Sequence, residues 1–103
     1  MRYLLKFSFN AEVGNVVTRD PEFGHKMESL LKEMQAEAAY FGPVNGHRGG
    51  YIVFSMDNAS QIPAMLEPLF IWLKAEVELI PVMLPQDLAN AGPAREAAIQ
   101  KWG

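Results

Sequence analysis

Residues 72–83 alternate with period two. Leu73, Ala75, Val77, Leu79, Pro81 and Met83 make one wholly apolar face, while Trp72, Lys74, Glu76, Glu78, Ile80 and Val82 make a mixed one. That pattern is the signature of a strand whose two faces meet different surroundings. A chain with such a strand has to build a sheet with one face in a dry core. Pro81 cannot donate to a ladder, so its end of the strand belongs at an edge or past the pairing. Residues 2–9 repeat the pattern: Tyr3, Leu5, Phe7 and Phe9 on one face, Arg2, Leu4, Lys6 and Ser8 on the other. Residues 48–56 form a further strand in which Tyr51, Val53 and Ser55 alternate with Ile52, Phe54 and Met56. Both of its faces are substantially apolar.

Helical signals lie between the strands. Residues 10–19 have no clear period and read as a loop. Asp20-Pro21 then supplies an N-cap and a proline suited to a first turn. Phe23, Met27, Leu30, Leu31, Met34, Ala38 and Phe41 make one apolar stripe over about five turns. The spacing predicts a helix that runs to Gly42-Pro43. Residues 44–47 read as a turn, and Gly49-Gly50 as a bulge or a close approach of backbones. Residues 57–69 predict a second helix, with Asn58 or Ser60 as cap, Pro63 in the first turn and Pro68 at the end. Past residue 85, residues 86–91 and 94–102 read as short helical pieces, a tail to a domain over 1–84.

Strands alternating with helices place both helices on one face of a sheet. The other face then needs cover. Ile52, Phe54, Met56, Ile80 and Val82 are assigned to it, too much apolar surface to leave wet. The expectation is an α+β chain that pairs sheet to sheet as a homodimer or a higher homo-oligomer.

The segments Arg-Gly-Gly-Tyr-Ile-Val-Phe (48–54), Pro-Leu-Phe (68–70) and Glu-Val-Glu-Leu-Ile-Pro-Val (76–82) resemble the muconolactone isomerase-like and YCII-like proteins. The resemblance covers roughly residues 1–84. It implies the ferredoxin-like fold of the dimeric α/β barrels, a mainly antiparallel sheet with two helices on one face. It also implies a cofactor-independent isomerase or cyclase acting on a carboxylate- or carbonyl-bearing small molecule. A non-catalytic ligand-binding or assembly protein and a small cofactor-free monooxygenase are the other functions found on this fold.

Within that fold the mixed sheet face becomes a cleft, and Lys6, Glu76 and Glu78 are the candidate catalytic residues. A carboxylate shielded from water can exchange protons near neutral pH, and an ammonium beside it can stabilise an enolate. The plainer reading makes them solvated or structural ion pairs. Arg48 and His47 are candidate substrate-binding residues at the cleft mouth, with Tyr51 and Trp72 as walls. His25, in the first turn of the long helix, reads as an exposed or capping side chain. The glycine-rich residues 45–50 lead into a strand and not a helix, which speaks for a hairpin and against a phosphate cradle.

The remaining partner classes follow from composition. Cysteine is absent, and the two histidines stand in no ligand spacing, so no metal and no cofactor is expected. Nine Lys and Arg stand against twelve Asp and Glu. This balance does not suit nucleic acid or an anionic membrane. No apolar run approaches a membrane span, and no apolar signal core precedes Lys6. A cytoplasmic protein is expected.

Overall fold

The structure, a computed structural model, describes residues 1–103. The first strand, β1 (Arg2–Phe9), lies inside the sheet and pairs with a strand on either side. Its apolar face puts Leu5, Phe7 and Phe9 into the core, as the alternation predicts.

Two segments depart from the expected elements. Residues 10–19 are not a loop. They hold helix α1 (Ala11–Val17), capped by the Asn10 side chain, which accepts from the Val13 amide at 2.9 Å. The signal was an asparagine cap followed by Val13 and Val17 one turn apart, too short a stripe to read as a period. The long helix is also shorter than its stripe. Helix α2 (Phe23–Glu33) buries Met27 and Leu30, and Met34 caps it. Gln35 then adopts a left-handed φ of 52°. The Ala36 amide bonds the Leu31 carbonyl and the Gln35 amide the Lys32 carbonyl, a Schellman ending built on glutamine. Residues 38–41, which extend the helical stripe on paper, instead open strand β2 (Ala38–Val44). Ala38 and Phe41 fit either period, and pairing with the next strand decides between them. Gly42-Pro43 therefore stands inside β2 and ends no helix. Pro43 is tolerated because β2 is an edge strand.

Strand β3 (His47–Ser55) follows through a two-residue turn. Asn45 and Gly46 have φ of 52° and 80°, the double left-handed geometry that suits a tight hairpin. Pairing of β1 with β3 runs unbroken from Arg2 opposite Ser55 to Phe9 opposite Arg48, so there is no bulge at Gly49-Gly50. Close approach is the reason for the glycines. A Cβ on Gly49 would meet the Phe7 carbonyl, and one on Gly50 the Tyr40 carbonyl.

A 3-10 turn (Ala59–Gln61), capped by Asn58, leads into α3 (Ile62–Leu73). Pro63 sits in its first turn as expected. Pro68 lies inside the helix and does not close it, despite the lost hydrogen bond. Burial of Leu66, Leu69 and Leu73 holds the helix on both sides of it. Lys74, with φ of 50°, ends it. Trp72 and Leu73 are therefore helical, and the last strand, β4 (Glu76–Pro81), is half the expected length.

The sheet is antiparallel throughout, in the order β2-β3-β1-β4. Leu5, Phe7, Ile52 and Phe54 on one sheet face share a core with Met27, Leu30 and Met34 of the α2 segment and Leu66, Leu69 and Leu73 of α3. The chain is thus α+β, with helices against one face of a four-stranded sheet, an arrangement compatible with a ferredoxin-like fold.

The phase of β3 is opposite to the expected one. Ile52, Phe54 and Met56 are in the core and not on the uncovered face. Cross-strand pairing explains this, since Ile52 faces Leu5 and Phe54 faces Tyr3. The open face instead carries Leu4, Tyr40, Tyr51, Val53 and Ile80, beside Lys6, Glu76 and Glu78. It remains a half-apolar face. Beyond it, α4 (Pro85–Asn90) and α5 (Gly92–Trp102) bury no residue, and Trp102 is 80% exposed. This arm stretches the molecule to 57 × 27 × 22 Å and its radius of gyration to 17.2 Å, against about 13 Å for a compact chain of this length.

Candidate functional site

Strand alternation puts neighbouring residues of β1 on opposite sides of the sheet, and the candidate residues divide accordingly. On the covered side, a cavity of about 580 Å³ lies among the end of β1, the β2–β3 hairpin, α2 and the residue that ends α1. Phe7 and Phe9 stack with ring centroids 6.4 Å apart, and Phe41 meets Phe7 edge-on at 6.5 Å. Phe23 and Met27 of α2 and Pro43 of β2 complete the apolar wall. The polar lining consists of Thr18, His47 and Arg48, with no carboxylate. Thr18 donates its hydroxyl to the Gly14 carbonyl at 2.8 Å, which leaves the guanidinium of Arg48, opposite Phe9 on the covered face, as the charged group free to meet a ligand. The volume and the mostly apolar lining with a few polar groups are those of a small-molecule site.

Arg48 reaches this place across α1. Its side chain lies against Gly14, where an added Cβ would collide with the guanidinium. The chain's ion pairs join Arg2 to Glu37, Lys6 to Glu78 and Lys26 to Asp20, and none engages Arg48.

On the open side, Lys6, Ser8, Glu76 and Glu78 border a smaller depression of about 180 Å³, together with Val44 and Asn45. Lys6 and Glu78 stand opposite each other on β1 and β4, with Nζ 3.8 Å from a carboxylate oxygen. The expected grouping of these residues on one face is therefore present. In the single chain it is a wet site, with the Glu78 side chain 63% exposed. A solvated pair of this length contributes under about 1 kcal/mol. Glu78→Gln is accordingly expected to change the unfolding free energy of the subunit by less than about 1 kcal/mol in urea denaturation.

The expected single cleft is thus two sites separated by the sheet. Arg48 is on the covered face, opposite Phe9, whereas His47 borders the same cavity from a position in β3 that shares the open-face phase of Tyr51. Tyr51 is opposite Lys6 on the open face, away from Arg48. Trp72 lines neither site. It packs its ring 5.3 Å from that of Phe23, with the Lys26 ammonium 6.0 Å from its centre, and so backs the cavity wall from behind. His25 is exposed on α2. The aromatic walls come from Phe9, Phe23 and Phe41, which the sequence reading passed over. Phe9 and Phe23 carry apolar-face signals that do not distinguish a cavity wall from core. Phe41 was hidden by its assignment to a helix.

No group of three or more His, Asp or Glu side chains is arranged to hold a metal ion, and no helix is long and apolar enough to cross a membrane. The chain matches no protein-family model, and a search of curated proteins finds no similar sequence.

Proposed function

We propose that this chain is a cofactor-independent small-molecule protein of the isomerase or cyclase kind, resembling muconolactone isomerase. It would act by proton transfer on a carboxylate- or carbonyl-bearing substrate held in the covered cavity. The observation that carries this reading is the apolar cavity with Arg48 on its face and His47 at its border. An imidazole is the side chain suited to take and return a proton near neutral pH, and a guanidinium stabilises charge developing on a carbonyl or carboxylate oxygen.

The dimeric barrel belongs to the same proposal. Two copies would join through their open faces, where Leu4, Tyr40, Tyr51, Val53 and Ile80 offer matching apolar surface. Lys6, Glu76 and Glu78 would then line an enclosed interior and lose water, which is the condition for their acid–base use.

A cyclic lactone bearing a carboxylate, incubated with the protein in deuterium oxide and followed by proton NMR, tests where the chemistry lies. Exchange next to the carbonyl should fall roughly 10²–10⁴-fold in His47→Gln if that residue carries the proton. A fall confined to Lys6→Met, Glu76→Gln or Glu78→Gln would move the reaction to the open face. Binding without exchange favours the second reading, a non-catalytic ligand-binding protein. The absence of any carboxylate from the cavity lining speaks for that reading.

A further inference from the structure

Arg48 is the only cation in the lining of the covered cavity, and no acid lines it. The guanidinium also has no carboxylate partner elsewhere in the chain. Arg48 is exposed and its guanidinium holds no ion pair, so it is open to an incoming anion. Gly14 adds an independent observation. It is a buried residue inside α1, where alanine would be the better helix former. The atoms that a Cβ there would strike belong to Arg48: the guanidinium nitrogen Nη1, then Cδ at 3.0 Å and Cζ at 3.2 Å. The missing side chain leaves the space that the arginine occupies. One helix position is thus given over to holding this cation at the cavity.

We propose that Arg48 is the anion-recognition residue of the cavity, that Gly14 is its positioning residue, and that the ligand is a flat apolar monocarboxylate. This rests on the reading of the covered cavity as the binding site. The planar fork of a guanidinium matches a carboxylate through two parallel hydrogen bonds. The rings of Phe7, Phe9 and Phe41 match a flat hydrocarbon body. A single cation and no anion in the lining fit a ligand of charge minus one. A more highly charged group such as a phosphate dianion would require further donors.

Isothermal titration calorimetry of the full chain with naphthoate and with the isosteric neutral naphthamide tests the assignment. The wild type should bind the acid at least ~10-fold tighter than the amide, the scale of a charge-assisted pair. Arg48→Leu should abolish that preference by weakening the acid alone. Gly14→Ala displaces the arginine without removing it, and should reduce the preference at least ~3-fold while α1 keeps its helical signal in circular dichroism. Once Arg48 is leucine, adding Gly14→Ala should change nothing further. Equal binding of acid and amide by the wild type, with Phe41→Ala weakening both, would overturn the role of Arg48 and leave the cavity as the site. Binding indifferent to Phe41→Ala, or binding of neither probe, would overturn the cavity reading and this assignment with it.

Discussion

Phe54→Ala is expected to lower the unfolding free energy by about 3–5 kcal/mol, the usual cost of removing a fully buried ring. Phe54 has no exposed surface and packs 6.2 Å from the ring of Tyr3. A domain of this size has about 5–15 kcal/mol in total, so the variant should melt at least ~12 °C lower. Tyr51→Ala, three residues earlier and on the open face, should cost the isolated subunit about 1 kcal/mol or less. The comparison tests the phase of β3. Were Phe54 on the uncovered face, as its sequence pattern suggested, the sizes of the two effects would be reversed. Thermal and urea denaturation at low protein concentration measure both.

Val53→Lys should convert a dimer at micromolar concentration into a monomer, with a dissociation constant raised at least ~100-fold. Val53 stands on the open face, between the Ala38 and Leu4 positions of the neighbouring strands. An unpaired ammonium there would have to be desolvated on association, which costs several kcal/mol. The subunit itself should remain folded, because the position is outside the core cluster. Sedimentation equilibrium reads the change, and a wild type that is monomeric at these concentrations would refute the barrel. The C-terminal arm extends the same test. No residue of helix α5 is buried. Alone, a helix of 11 residues is marginal in water. Removal of residues 92–103 should therefore leave monomer unfolding within about 0.5 kcal/mol, while dimerisation weakens if the arm packs on the partner. A drop in monomer stability would instead place the arm on its own domain.

Local signals in the sequence were reliable where neighbours in the chain decide the outcome. The alternation of residues 2–9 and 72–83 reflects a strand with one dry face; β1 forms over the whole of the first, and β4 over only Glu76–Pro81 of the second. Asn45-Gly46 suits a tight hairpin because both residues tolerate left-handed backbone, and the hairpin is present. Of the two reasons expected for Gly49 and Gly50, close backbone approach is present and a bulge is not. The grouping of Lys6 with Glu78 also followed from alternation, once their strands were taken as neighbours.

Tertiary pairing decided the rest. Ala38 and Phe41 satisfy the helical period as well as the strand period, and only the ladder with β3 makes them a strand. Ile52 and Phe54 compete with Tyr51 and Val53 for the core, since both sets are apolar. Register against Leu5 and Tyr3 chooses the first, and a choice of phase moves every side chain to the other face. The candidate site was legible as residue types and not as a place. His47 and Arg48 are adjacent in sequence and stand in opposite phases of β3, and the cavity that Arg48 faces is made by Phe9, Phe23 and Phe41 from three separate elements. By itself the sequence determined where three strands run, though not the phase of β3 or the full length of β4, and the place of a tight turn. Which segments meet, and therefore where a cavity opens and which charge borders it, depends on contacts between residues far apart in the chain, and those exist only once the sheet has closed.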